Sequence, residues 1–83
     1  MSKITVYGAD WCHDTRRTRR QLDGLGVPYN YVDIDDDPDA EQWITEQHNG
    51  KRVTPTVDVE GTLLFEPSNE EMEQALRESG LVT

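Results

Sequence analysis

One side chain in this sequence can act as a redox nucleophile, Cys12, the single cysteine among 83 residues. It lies where a strand-like segment gives way to a helix-favouring run, so its sulfur can face unpaired backbone amides and the positive end of a helix dipole. Such surroundings favour the thiolate, the form that attacks disulfides. Arg16, one turn on, adds a cation, while Asp14 opposes ionisation of the thiol and at the same time complements the helix dipole. Thr15 stands one helical turn after Cys12, where its hydroxyl can donate to a thiolate. The alternative role for a lone cysteine is that of a small buried hydrophobe. The strand-to-helix junction favours the reactive reading.

A second informative position is Pro55 in Val53-Thr54-Pro55-Thr56-Val57, where a proline precedes a β-branched strand and can close a sheet edge or take the cis form. Taken alone the sequence favours trans. His13 and His48, with Cys12 and Asp14, invite a metal reading, but adjacent side chains on one helix do not converge as spaced ligands do. No protein-held metal is expected. His13 reads as an exposed neighbour of the thiol and His48 as a last-turn residue suited to a helix C-terminus.

The elements that must position these groups follow from periodicity. Residues 3 to 7 alternate β-branched and aromatic types and predict a first strand ending at Gly8. Residues 12 to 25 predict a helix with Leu22 and Leu25 on its apolar face, stopped by Gly24 to Gly26. Pro28 opens a second strand through Tyr29, Tyr31, Val32 and Ile34, and Asp35 to Asp37 form its exit. Asp37 and Pro38 then start a second helix, with Trp43 and Ile44 as core residues and Asn49 and Gly50 at its end. Strands at 55 to 59 and 62 to 65 flank a Glu60-Gly61 hairpin turn. Ser68 and Glu71 form a capping-box pattern opening a last helix, whose Met72, Ala75 and Leu76 point inward before Gly80 ends it.

The order βαβαββα predicts an α/β, thioredoxin-like fold: a mixed four-stranded sheet with helices on both faces. No repeat or linker marks a second domain, so residues 1–83 are expected to form one. The chain carries 8 basic and 17 acidic residues, a net charge of -9, which disfavours nucleic-acid binding because phosphates are repelled overall. Four of the eight basic residues are Arg16, Arg17, Arg19 and Arg20, just after Cys12. No run nears the ~18 apolar residues of a membrane span, and no signal-peptide pattern opens the chain. With a lone cysteine, these features predict a cytoplasmic protein that does not engage a membrane.

Several segments resemble the glutaredoxins and actinobacterial mycoredoxins. Trp11-Cys12-His13-Asp14-Thr15 aligns with their W-C-x-x-C motif, and Leu25-Gly26-Val27-Pro28-Tyr29 and Val32-Asp33-Ile34-Asp35 resemble the segments that follow. Lys51-Arg52-Val53-Thr54-Pro55-Thr56-Val57 is similar to the family's basic, cis-proline loop, and Pro67-Ser68 resembles the start of its last helix. The resemblance implies a thiol-disulfide oxidoreductase with Cys12 as nucleophile and Pro55 as a cis proline beside the sulfur. It implies that Thr54 bonds a thiol substrate through its backbone, that Trp11 walls the site, and that Lys51 or Arg52 meets a substrate carboxylate. The amides of Ser68 and Asn69, at a helix start, offer a further polar contact.

The family's second cysteine is replaced by Thr15, which leaves a monothiol route on protein mixed disulfides. The resemblance implies a low-molecular-weight thiol as co-substrate, with no tightly bound cofactor, and the protein is expected to be a monomer. Glu66-Pro67-Ser68 stands where many glutathione-binding members carry glycine-glycine-aspartate, which weakens glutathione and leaves mycothiol open. Two alternatives remain at this stage. One is a [2Fe-2S] carrier, against which the Cys12-His13-Asp14-Thr15 sequence speaks, and the other is a thioredoxin-fold binding module without catalysis.

Overall fold

The computed structural model describes residues 3–82. Strand β1 (Ile4–Gly8) leads through a short loop into helix α1 (His13–Leu25), and β2 (Asn30–Asp33) follows. Helix α2 (Pro38–Gln47), strands β3 (Thr56–Val59) and β4 (Thr62–Phe65), and helix α3 (Asn69–Glu78) complete the order. The sheet runs β2-β1-β3-β4, with β2 parallel to β1 and both β3 and β4 added antiparallel to their neighbours. This is the predicted mixed, four-stranded α/β architecture.

Alternation along β1 divides the core. Ile4 and Val6 point to one face, where they form a cluster with Leu22 of α1, Val57 and Val59 of β3, and Met72 and Leu76 of α3. Thr5 and Tyr7 point the other way, and there the Trp43 ring of α2 lies 5.4 Å from that of Tyr7. The helices therefore cover both faces. A fold of this size has ~4 to 12 kcal/mol of stability in total by the usual per-residue figure. Truncating Leu22 or Leu76 to alanine, at ~2 to 5 kcal/mol each, would consume much of that.

Local chemistry explains the boundaries. The Asp37 carboxylate accepts the Ala40 amide at 3.1 Å and Pro38 occupies the first turn of α2, as the sequence predicts. Glu60 and Gly61 both have positive φ, 50° and 95°, the requirement of a two-residue hairpin whose twist matches its strands. The box at Ser68 and Glu71 is complete: each side chain accepts from the other residue's amide, at 3.1 and 2.8 Å.

Two expected core positions differ. Leu25 is 48% exposed, because the buried face of α1 is Thr15, Thr18 and Leu22, and the last turn rolls Leu25 away from it. Trp43 is 38% exposed, since it covers Tyr7 from the rim of the sheet while Ile44 takes the buried position. Ile34 lies just beyond β2 rather than within it, yet is buried.

Candidate active site

Sheet register gathers the chemistry at one end of the molecule. Gly8 pairs with Asp33, and Tyr7 pairs with Thr56, so the exit of β1, the exit of β2 and the start of β3 are neighbours. The exit of β4 joins them, because Phe65 also pairs with Thr56 and the Glu66 amide donates to the Pro55 carbonyl at 2.9 Å. Residues distant in sequence thus meet around Cys12.

Cys12 is the N-cap of α1 and is half-buried. The Thr54-Pro55 peptide is cis, and it brings Thr54 to the sulfur from across the loop. The Thr54 hydroxyl donates to Sγ at 3.4 Å, and the thiol can donate back to the Thr54 carbonyl at 3.7 Å. One residue thereby contacts both protonation states.

Partial burial pushes the thiol pKa up, but the hydroxyls of Thr15 and Thr54 and the Thr15 and Asp14 amides together outweigh it and hold the pKa below its ordinary value. The two amides act by orientation, since the Cys12 side chain makes no close capping bond. Thr15 is fully buried and one turn from Cys12. Its oxygen accepts the Ala9 amide at 3.4 Å, which leaves the hydroxyl proton to be given to sulfur.

The arginines do something other than lower the thiol pKa. Arg16 donates to the Asp10 carbonyl at 3.0 Å, and Arg17 pairs with Asp14 at 3.0 Å and donates to the Pro67 carbonyl at 2.9 Å. Arg19 lies 3.8 Å above the Tyr31 ring and 3.7 Å from the Asp10 carboxylate. Tyr31 donates to the same carboxylate at 2.7 Å. Burial first, and then the Asp10 bond, raise the Tyr31 pKa, so the phenol remains a donor. These groups pin the turn that presents Cys12.

Trp11, the residue before Cys12, has 63% of its surface exposed, and its indole N–H donates to Asp35 Oδ2 at 2.7 Å. Arg52 pairs with Asp35 at 2.6 Å and with Glu41 at 3.1 Å, and lies 5.8 Å over the Trp11 ring. Its charge is therefore already matched. Lys51 is exposed and makes no ion pair among the described residues. At the start of α3 the Ser68 amide is held by Glu71, while the Asn69 carbonyl accepts from Gln21 at 2.8 Å. His13 is exposed, and His48 caps the end of α2 with its ring 4.6 Å from Phe65. No cluster of three or more metal-ligating side chains occurs among the described residues.

Read from the sequence, Tyr31, Arg19 and Asp35 have no part in the site, and Asp10 is not singled out at all. Their partners lie 21 residues away for Tyr31 and Asp10 and 24 for Trp11 and Asp35, so no local spacing announces them.

Residues 4–64 match the glutaredoxin family model. The chain belongs to the glutaredoxin family. It is 39% identical over 57 residues to mycoredoxin 1 of Corynebacterium glutamicum, covering 69% of this chain and 70% of that protein. Its fold is similar to that of a crystallised thioredoxin-like protein at TM-score 0.81 and 26% identity, covering 93% of this chain and 97% of the other. A glutaredoxin from Archaeoglobus fulgidus is similar in fold at TM-score 0.76 and 22% identity, covering 93% and 88%. The protein is a thiol-disulfide oxidoreductase of glutaredoxin type with the thioredoxin-like fold expected from its sequence. No helix among the described residues is long and apolar enough to cross a membrane.

Proposed function

We propose that the chain, a single domain over residues 1–83, reduces mixed disulfides between proteins and a low-molecular-weight thiol by a monothiol route through Cys12. The observation that carries this reading is the placement of the lone thiol at the N-cap of α1, with the Thr54 hydroxyl 3.4 Å from its sulfur. The Cys12 thiolate attacks the small-thiol sulfur of the mixed disulfide. The protein thiolate leaves and takes a proton from solvent, and a disulfide joins Cys12 to the small thiol. A second small-thiol thiolate then attacks that adduct, releasing a symmetrical small-thiol disulfide and the Cys12 thiolate.

Each site residue has a part in this scheme. Thr15 and Thr54 stabilise the thiolate as it forms and as it leaves. Pro55 and the Thr54 backbone border the bound thiol, Trp11 forms the exposed wall, and Lys51, which makes no ion pair among the described residues, is a cation for an acidic group on the protein substrate. Arg52 supports the loop. Asn69 offers its amide at the start of α3, whereas the Ser68 amide serves that helix's own cap.

Among small thiols, mycothiol fits better than glutathione. Glutathione carries two carboxylates, while two of the anchors that could receive them, the Arg52 guanidinium and the Ser68 amide, are engaged by Asp35, Glu41 and Glu71. A sugar thiol without a free carboxylate needs neither. The similarity to a mycoredoxin supports the same choice. The protein acts as a monomer in the cytoplasm, on soluble disulfide-bonded proteins, with no resident cofactor.

Reduction of a reporter peptide bearing either mycothiol or glutathione in mixed disulfide tests this reading. Turnover is expected to be faster with mycothiol and to vanish in Cys12→Ser. Turnover surviving in that variant would remove Cys12 from the chemistry.

A further inference from the structure

Three segments surround the thiol: the β1 exit carrying Trp11, the β2 exit carrying Asp35, and the loop before β3 carrying Arg52. They come from separate strands, and the backbone bonds of the sheet end before reaching them. Something else must fix their spacing. Asp35 bonds to both of the others, its Oδ2 accepting the Trp11 indole N–H at 2.7 Å and its Oδ1 pairing with Arg52 at 2.6 Å, while Arg52 itself meets Trp11 only through the ring face, 5.8 Å from its centroid. Asp35 is itself set by its own amide, which donates to Asp33 Oδ1 at 3.0 Å in a turn of the kind aspartates favour.

We propose that Asp35 is a positioning residue for the thiol-exchange reaction: its two carboxylate oxygens tie the Cys12 wall of the site to the Thr54 wall and orient the Trp11 ring between them. The proposal rests on the reading that Cys12 is the nucleophile. Trp11 immediately precedes Cys12, and Arg52 stands two residues before Thr54, whose hydroxyl reaches the sulfur. Fixing Trp11 against Arg52 therefore fixes the width of the cleft that a small thiol must enter. A tryptophan 63% exposed would otherwise sample several rotamers, and ordering it at the moment of binding would weaken every complex equally.

Glu41 separates bridging from simple charge matching. It pairs with Arg52 at 3.1 Å, whereas the Trp11 indole N–H goes to Asp35. Both acids quench the same guanidinium, but only Asp35 spans the cleft. The ion pairs are solvent-exposed, with Asp35 and Arg52 side chains at 42% and 37% exposure, so their removal leaves the fold in place.

The test uses Trp43→Phe as background, so that Trp11 is the sole fluorophore of its kind. Steady-state anisotropy of Trp11 and the kinetics of mixed-disulfide reduction are measured for Asp35→Ala, Asp35→Asn and Glu41→Gln. Asp35→Ala is expected to lower the anisotropy and raise KM about tenfold while kcat holds within about twofold, the pattern of a lost contact equally present in ground and transition states. Asp35→Asn keeps an oxygen for the indole but loses the charge for Arg52, and is expected to fall between. Glu41→Gln is expected to match the background in both readouts. Unchanged anisotropy and KM in Asp35→Ala, or an equal effect in Glu41→Gln, overturns the proposal. Anisotropy needs no turnover, and Cys12→Ser measured alongside reports on the nucleophile, so failure of one claim is distinguishable from failure of the other.

Discussion

The Thr15 side chain rests directly on the backbone of Gly8, so that a Cβ placed on residue 8 would stand 2.5 Å from Thr15 Cγ2 and 2.6 Å from its Oγ1. The last residue of β1 and the first turn of α1 are thus in contact with no room for a methyl group, and the loop holding Cys12 spans that contact. Gly8→Ala is expected to push α1 outward at a cost of ~1 to 3 kcal/mol, the usual range for overpacking a filled core. Urea unfolding measures the loss. Because the same shift moves the Asp14 and Thr15 amides away from the sulfur, the Cys12 pKa should rise in the same variant.

Thr54→Val removes a donor to the thiolate while keeping the carbonyl that accepts from the thiol. Only the charged form loses stabilisation, so the Cys12 pKa should move up toward the ~8.5 of a free cysteine. Alkylation rate against pH locates the midpoint. At neutral pH the variant should react more slowly in proportion to its smaller thiolate fraction, and an unmoved midpoint would detach Thr54 from the sulfur.

The lowered thiol pKa also carries a stability signature. The folded state holds the Cys12 proton less tightly than the unfolded chain does, so the unfolded state binds more protons in the interval between the two pKa values. Stability from this group is therefore fully present above the unfolded pKa and is lost as pH falls through the folded one. Denaturation of the wild type and of Cys12→Ser across that interval should show the wild type gaining on the variant as pH rises. Parallel curves would mean that the two states hold the proton alike.

Thr15→Cys is expected to convert the protein to dithiol chemistry. Residue 15 lies one turn from Cys12, and the hydroxyl now there already acts on the sulfur. A thiol in its place should attack an adduct on Cys12, expel the small thiol and close an internal disulfide. Free-thiol titration and intact mass after mild oxidation give the answer. Two free thiols, or an adduct that persists, would place side chain 15 too deep against Gly8 to turn outward.

How far the sequence revealed this site depends on the range of each interaction. Helix starts were legible because their signals are local: Asp37 with Pro38, Ser68 with Glu71, and Cys12 at the end of an alternating strand all lie within four residues of what they control. The hairpin at Glu60-Gly61 was legible for the same reason. The arginines after Cys12 were legible as a cluster but not in their roles, since the carboxylates and carbonyls that engage them come from Asp10, Asp14 and Pro67. Asp35 reads as one of three aspartates in the exit of the second strand, and nothing in that run marks the one that reaches Trp11 and Arg52. Leu25 and Trp43 fit an apolar helical face by period, but they sit at the edges of their faces, where a sheet this narrow leaves them partly uncovered.

The account depends most on Cys12 carrying the small thiol, and intact mass spectrometry addresses this without a coupled assay. The protein is incubated with mycothiol disulfide or glutathione disulfide, weighed, then weighed again after the matching free thiol is added. One adduct per chain is expected, formed more readily with mycothiol, absent in Cys12→Ser, and removed by the second thiol as the monothiol cycle requires. A wild-type chain that gains no mass with either disulfide, or an adduct that the free thiol does not remove, would contradict it.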